Sequence, residues 1–186
     1  METPTAAGFL SVKIGIISDT HGFLDEQVFH YFEPCEEIWH AGDWGSLAVY
    51  EQLAAFRPLR GVYGNIDGQD IRQHCPESQQ FTIEGMRVWM IHIGGYPGRY
   101  APPVRRRLEA TPAPDLFVCG HSHILKVMSD RKHRNMLTIN PGAAGRHGFH
   151  KVRTLVRMEV HDGKVRQMQA IELGPRTEPR AWEENA

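Results

Sequence analysis

Short apolar runs that stop abruptly at glycine, aspartate, asparagine or histidine constrain this 186-residue chain more than any other feature. Residues 12–18 (VKIGIIS), 37–41 (EIWHA), 59–63 (LRGVY), 87–91 (RVWMI) and 116–119 (LFVC) are each too short for a helix. Brief runs of this kind, bounded by turn formers and without a polar alternation, suit strands buried on both faces. They stop at Asp19-Thr20-His21, Gly42-Asp43, Gly64-Asn65, His92 and Gly120-His121-Ser122-His123.

Helical patterns separate the first three runs. One spans 26–32 and breaks at Pro34; the next follows an N-cap at Ser46 and runs through 56, with Leu47, Tyr50, Leu53 and Ala54 at helical spacing. Strand, polar turn and helix in repetition argue for parallel strands in an α/β layer. Ligands gather at the carboxyl ends of such strands, where the polar turns lie. Further on, 80–83 and 87–91 read as a hairpin around Gly85, 94–98 as a loop, and 104–110 as a basic helix stopped by Pro112 and Pro114. Strands at 116–119, 124–130 and 136–139 precede a loop at 140–150. A last hairpin pairs 154–161 with 164–172 through Asp162-Gly163, a strong turn signal. The expected fold is α/β: two mixed β-sheets packed face to face and flanked by helices. It forms a single domain over 1–186, with 1–11 a loose leader and 174–186 a flexible tail.

The 21 Lys+Arg and 22 Asp+Glu give a formal net charge of -1, which excludes the basic footprint of a general nucleic-acid binder. No segment is long and apolar enough to span a bilayer, and the first residues lack the pattern of a signal peptide. Cys35, Cys75 and Cys119 are an odd number without metal-type spacing, so a reducing, cytoplasmic setting is expected.

The turns supply Asp19, His21, Asp43, Asn65, His92, His121 and His123, the donor set of a two-metal site that hydrolyses phosphate esters. Asp19 and His21 stand at i and i+2, as do His121 and His123, and in extended backbone such pairs face one way. Asp43 can bridge two cations with its two oxygens, and Asn65 adds a neutral oxygen. Mixed nitrogen and oxygen donors suit Mn, Fe, Co, Ni or Zn. Each residue also has an ordinary structural reading. Asp19 can cap a helix, Gly42-Asp43 can be a turn, Asn65 can take a left-handed turn position, and His92 can be a bonded core histidine. The combination at five successive strand ends is what points to a site.

The order Asp-x-His, Gly-Asp, Gly-Asn-x-Asp, strand-final His and Gly-His-x-His resembles the calcineurin-like metallophosphoesterase superfamily. Gly64-Asn65-Ile66-Asp67 and Asn140-Pro141-Gly142 resemble its small YfcE-type phosphodiesterase branch, in element order over roughly 12–172. The resemblance implies a four-layer αββα sandwich and two divalent metal ions, with manganese first and Fe, Ni, Co or Zn as alternatives. One ion would take Asp19, His21, Asp43 and His123; the other would take Asp43, Asn65, His92 and His121. The implied activity is phosphodiester hydrolysis, with a metal-bridging hydroxide attacking phosphorus in line and Asp43, Asn65 and His92 at the catalytic centre. A phosphomonoesterase or nucleotide hydrolase, and a non-catalytic interaction scaffold of the Vps29 type, are the alternatives.

Many superfamily members carry a histidine after the asparagine of the third motif; here it is Ile66, which cannot pass a proton. Either the leaving group needs little acid help, or His147 or His150 supplies it. Asn65 and Arg146 are candidate contacts to the substrate phosphate, His40 and Asp67 candidate supports, and Tyr96 and Tyr100 candidates for the mouth of the site. Arg105, Arg106 and Arg107 read as a solvated helix face. The expected partner is a small phosphate ester, with no nucleic acid or membrane; homo-oligomerisation stays open.

Overall fold

The computed structural model describes residues 11–177, so the leader over 1–10 and the tail from 178 lie outside the described residues. The first sheet has the order β12-β11-β1-β2-β3. Its strands are β1 (Val12–Ile17), β2 (Glu37–His40), β3 (Leu59–Gly61), β11 (Val152–His161) and β12 (Lys164–Pro175). β1, β2 and β3 run parallel, while β11 and β12 are antiparallel additions at the other edge. The second sheet has the order β4-β5-β8-β10-β9, from β4 (Ser78–Ile83), β5 (Met86–Ile91), β8 (Leu116–Val118), β9 (Leu125–Asp130) and β10 (Met136–Pro141). Its centre is parallel and its edges are antiparallel.

Alternate side chains of each central strand enter different cores. Ile16, Trp39, Val88, Met90, Val118 and Val156 meet between the sheets. Their neighbours Ile17, Ile38 and Leu155 pack outward against α1 (Gln27–Phe32) and α2 (Leu47–Phe56). Trp89 and Phe117 pack outward against Val104 and Leu108 of α4 (Pro102–Ala110). The layers are therefore helix, sheet, sheet, helix. Apolar residues on both alternations are what a strand covered on both faces requires. Gly15 shows how closely α1 sits, because a Cβ there would lie 2.6 Å from the Phe32 ring.

Several local expectations are corrected. The segment 94–98 is not a plain loop: β6 (Gly95–Tyr96) pairs with β7 (Arg99–Tyr100). A short helix, α3 (Gln69–Arg72), follows the third motif. β12 extends to Pro175, with Gly174 opposite Arg153, so the tail does not begin at 174. Ser46 holds the N-cap position of α2 with extended backbone, but its side chain makes no capping bond. No helix among the described residues is long and apolar enough to cross a membrane.

Candidate metal centre

The carboxyl ends of β1, β2 and β3 in one sheet face those of β5 and β8 in the other, and all seven candidate donors lie along this edge. The backbone takes an unexpected route. Asp19 (φ 53°), His21 (φ 48°), Asp43 (φ 57°), His121 (φ 68°) and His123 (φ 58°) all lie in the left-handed region. The i and i+2 pairs therefore converge through tight turns and not through extended segments, which corrects the expected geometry. Such backbone is costly for residues with a Cβ and persists only where the surroundings hold it.

Those surroundings are identifiable. Asp19 N donates to Gly42 O at 2.9 Å, His21 N to Asp43 O at 3.0 Å and Gly145 N to Asp19 O at 3.0 Å. The fully buried His40 accepts from Gly42 N at Nδ1 (3.2 Å), so its Nε2 donates to Thr20 Oγ1 (3.0 Å), and the Thr20 hydroxyl donates in turn to Trp44 O (3.0 Å). Burial holds His40 well below its ordinary pKa, as this neutral tautomer requires. Asp67 accepts from Gly45 N and Gly64 N, so it shapes the turn. Asn140 holds the fourth turn by donating to Gly120 O at 2.7 Å and Ser122 Oγ at 3.1 Å. The Asn-Pro-Gly motif signalled this residue without showing its task.

Two donor clusters result, and Asp43 belongs to both. In the first, His123 Nε2 lies 3.2 Å from Asp19 Oδ1 and 3.2 Å from His21 Nε2, and His21 Nε2 is 3.7 Å from Asp43 Oδ2. In the second, His92 Nε2 lies 3.3 Å from Asp43 Oδ1 and 3.2 Å from Asn65 Oδ1, with His121 within the same group. Ligands about 2.1 Å from one cation stand roughly 3.0–3.4 Å apart, so most of these separations match edges of a coordination polyhedron. His92 gives a chemical test. Its Nδ1 donates to the Ala41 carbonyl at 2.7 Å, so in the neutral ring the Nε2 lone pair faces two oxygen acceptors. A proton or a cation must sit there, and a backbone-bonded imidazole is the usual form of a metal ligand.

The electrostatics of the donor groups reflect this crowding. Burial lowers the affinity of His92 for a proton, but the Asp43 hydrogen bond and the charges of Asp19 and Asp43 outweigh it and raise the pKa. Burial raises that of Asp43, yet the His92 bond and charge and the Ile66 N–H hold it below its ordinary value. The Asp19 bond raises His123, while burial dominates at His21 and lowers it.

Around the donors lies a cleft of about 370 Å³. Ile66, Ile124 and Phe149 line it and are exposed, Phe149 fully. His147 and His150 line it too. The His147 ring centre is 4.9 Å from that of His21, whereas His150 donates from Nε2 to Gly145 O. Burial lowers the His150 pKa. Arg146 is stacked 4.2 Å over Phe23 and is not among the cleft residues. Tyr96 and Tyr100 line a separate cavity next to His121. Sequence reasoning missed that cavity's cations, Arg99 and Lys126, because no motif marks them.

The fold and the donor turns together define a two-sheet α/β scaffold whose strand ends gather residues that could hold divalent metal. Residues 12–163 match the calcineurin-like phosphoesterase superfamily domain, and the chain belongs to that superfamily. A probable metallophosphoesterase of Methanothermobacter thermautotrophicus is 35% identical over 135 residues, 70% of this chain and 76% of that protein. The fold is similar to vacuolar protein sorting 29 from Cryptosporidium parvum (TM-score 0.67, 18% identity, 89% of this chain and 99% of that one). It is also similar to an archaeal phosphodiesterase (TM-score 0.68, 22% identity, 87% and 99%).

Proposed function

We propose that the protein is a metal-dependent phosphodiesterase with a dinuclear centre, manganese being the first candidate ion. The observation that carries this is the Asp43 carboxylate, whose two oxygens face two different donor clusters. Asp19, His21 and His123 would complete one ion's shell, and Asn65, His92 and His121 the other's. A bound pair of ions supplies an acidified water as nucleophile and positive charge for the phosphoryl oxygens. The protein's own groups do the rest. Asn65, which lines the cleft, would also contact a phosphate oxygen. Ile66, Ile124 and Phe149 offer an apolar wall to the expelled group. His147 is the leaving-group acid, because it is exposed over the centre while His150 is tied to Gly145. Cavities also adjoin His121 and Asn65, giving room for a second ester arm, which favours diesters over monoesters. The free, buried cysteines suit a cytoplasmic setting.

The test is to strip metal, add back manganese and follow bis-p-nitrophenyl phosphate against p-nitrophenyl phosphate. Manganese-dependent turnover that prefers the diester and is lost in Asp43→Asn is the expected result. Turnover indifferent to both metal and Asp43 refutes the proposal. A scaffold role of the Vps29 type draws support from the exposed Ile66, Ile124 and Phe149. It requires that Phe149→Ser release a bound partner while Asp43→Asn does not.

A further inference from the structure

The cavity beside His121 has a volume of about 270 Å³ and is lined by two cations and no carboxylate. Lys126 is half-buried, with Nζ 3.5 Å from the centre of the Tyr96 ring. Arg99 lines the same cavity from β7. Neither forms an ion pair with a carboxylate among the described residues. Both cations, Lys126 against an aromatic face and Arg99 exposed, are therefore available to an incoming anion. A third group faces the same way. Ser122 Oγ accepts from Asn140 Nδ2 at 3.1 Å and from Ile124 N at 3.4 Å, which leaves its own proton to be donated. His121, a donor of the metal centre, lines the cavity too, so an occupant lies next to a phosphorus held at that centre.

We propose that this cavity is an anion subsite, and that the substrate is a phosphodiester whose retained arm carries a second anionic group, a carboxylate or a phosphate. The inference rests on the phosphodiesterase reading above and extends it to the substrate class. Lys126 supplies a charge held in place by Tyr96, Arg99 a planar fork suited to two oxygens, and Ser122 a neutral donor. The volume accommodates a few carbons and one anionic group, and no large ring system.

The experiment uses three diesters that expel the same p-nitrophenolate and differ in the retained arm: 2-carboxyethyl, ethyl and choline. The manganese-loaded wild type is expected to favour the carboxyethyl over the ethyl ester by about tenfold in kcat/KM, mostly through KM, with the choline ester poorest. In Lys126→Met with Arg99→Gln, which keeps the stem on Tyr96 but removes both charges, the ratio falls towards one. Arg105→Ala, on the exposed face of α4, keeps the wild-type ratio. An unchanged ratio in the double variant, or no preference in the wild type, overturns the subsite. A titration of sulfate into metal-free protein, followed by amide NMR, separates this from a failure of the enzyme reading. Shifts at Ser122 and Lys126 in wild type that vanish in the double variant uphold the subsite even if no ester turns over. Shifts equal in both, or absent at these amides, overturn it.

Discussion

Oδ1 of Asp19 lies 3.2 Å from Nε2 of His123, although Asp19 follows a strand of one sheet and His123 a strand of the other. The donor edge is thus a seam between sheets, and a cation bound there would fasten both. Manganese at about a hundred times its dissociation constant should add about 2.7 kcal/mol of stability, a rise in Tm of roughly 5–10 °C for a domain this size. Differential scanning calorimetry should show most of that rise missing in Asp43→Asn. An equal rise in both would place the stabilising metal elsewhere.

His147→Ala should separate esters by the basicity of the expelled group. p-Nitrophenolate leaves without a proton, so its turnover should fall less than about threefold. An alkoxide needs one, and its turnover should fall by about a hundredfold or more. Rates measured across a leaving-group series would show this as a steeper dependence in the variant. Parallel lines for variant and wild type would remove His147 from the chemistry.

Gly64→Ala tests how tightly the bridge is held. A Cβ at Gly64 would lie 2.0 Å from Asp43 Oδ1 and 2.3 Å from Asp43 N. The carboxylate must move, at a cost of about 1–3 kcal/mol in stability and with loss of ion affinity. Metal analysis after gel filtration should find less than half the wild-type content in a folded variant.

Arg153 is almost fully buried and donates to Asp25 Oδ2 at 2.6 Å, Leu173 O at 2.9 Å and Pro175 O at 3.0 Å, tying β11 and β12 to the start of α1. Burial raises the Asp25 pKa, but the Gln27 N–H and the Arg153 guanidinium together hold it below its ordinary value. A carboxylate with a depressed folded pKa stabilises fully above its unfolded pKa and loses that contribution as pH falls through the folded value, here below about pH 4. Asp25→Asn should cost about 1–2 kcal/mol at pH 7, because the pair is only partly buried and asparagine still accepts a hydrogen bond. Urea titrations against pH should also show a shallower acid limb in this variant than in wild type.

The elements that carry the donors were legible because strands covered on both faces are written as unbroken apolar runs. The point where Ile17, His40 or Val118 gives way to glycine or aspartate is then visible without a structure. The left-handed turns at Asp19 and His121 were not legible, since they depend on bonds to Gly42 and Asp19 reached only after folding. The stack of Arg146 on Phe23 was not legible either, because it depends on a residue from the far end of the chain. The pairing of β6 with β7 was hidden because two-residue strands leave no periodicity to read.

The left-handed backbone along the donor edge also bears on how such a protein would evolve. Each histidine kept there costs about 1 kcal/mol that glycine would not. Selection for grip on a cation is what opposes the exchange. A lineage released from that selection would gain robustness by drifting towards glycine or asparagine at Asp19, His21, Asp43, His121 and His123. The loss of chemistry would then be recorded at these five codons long before the sandwich itself diverged.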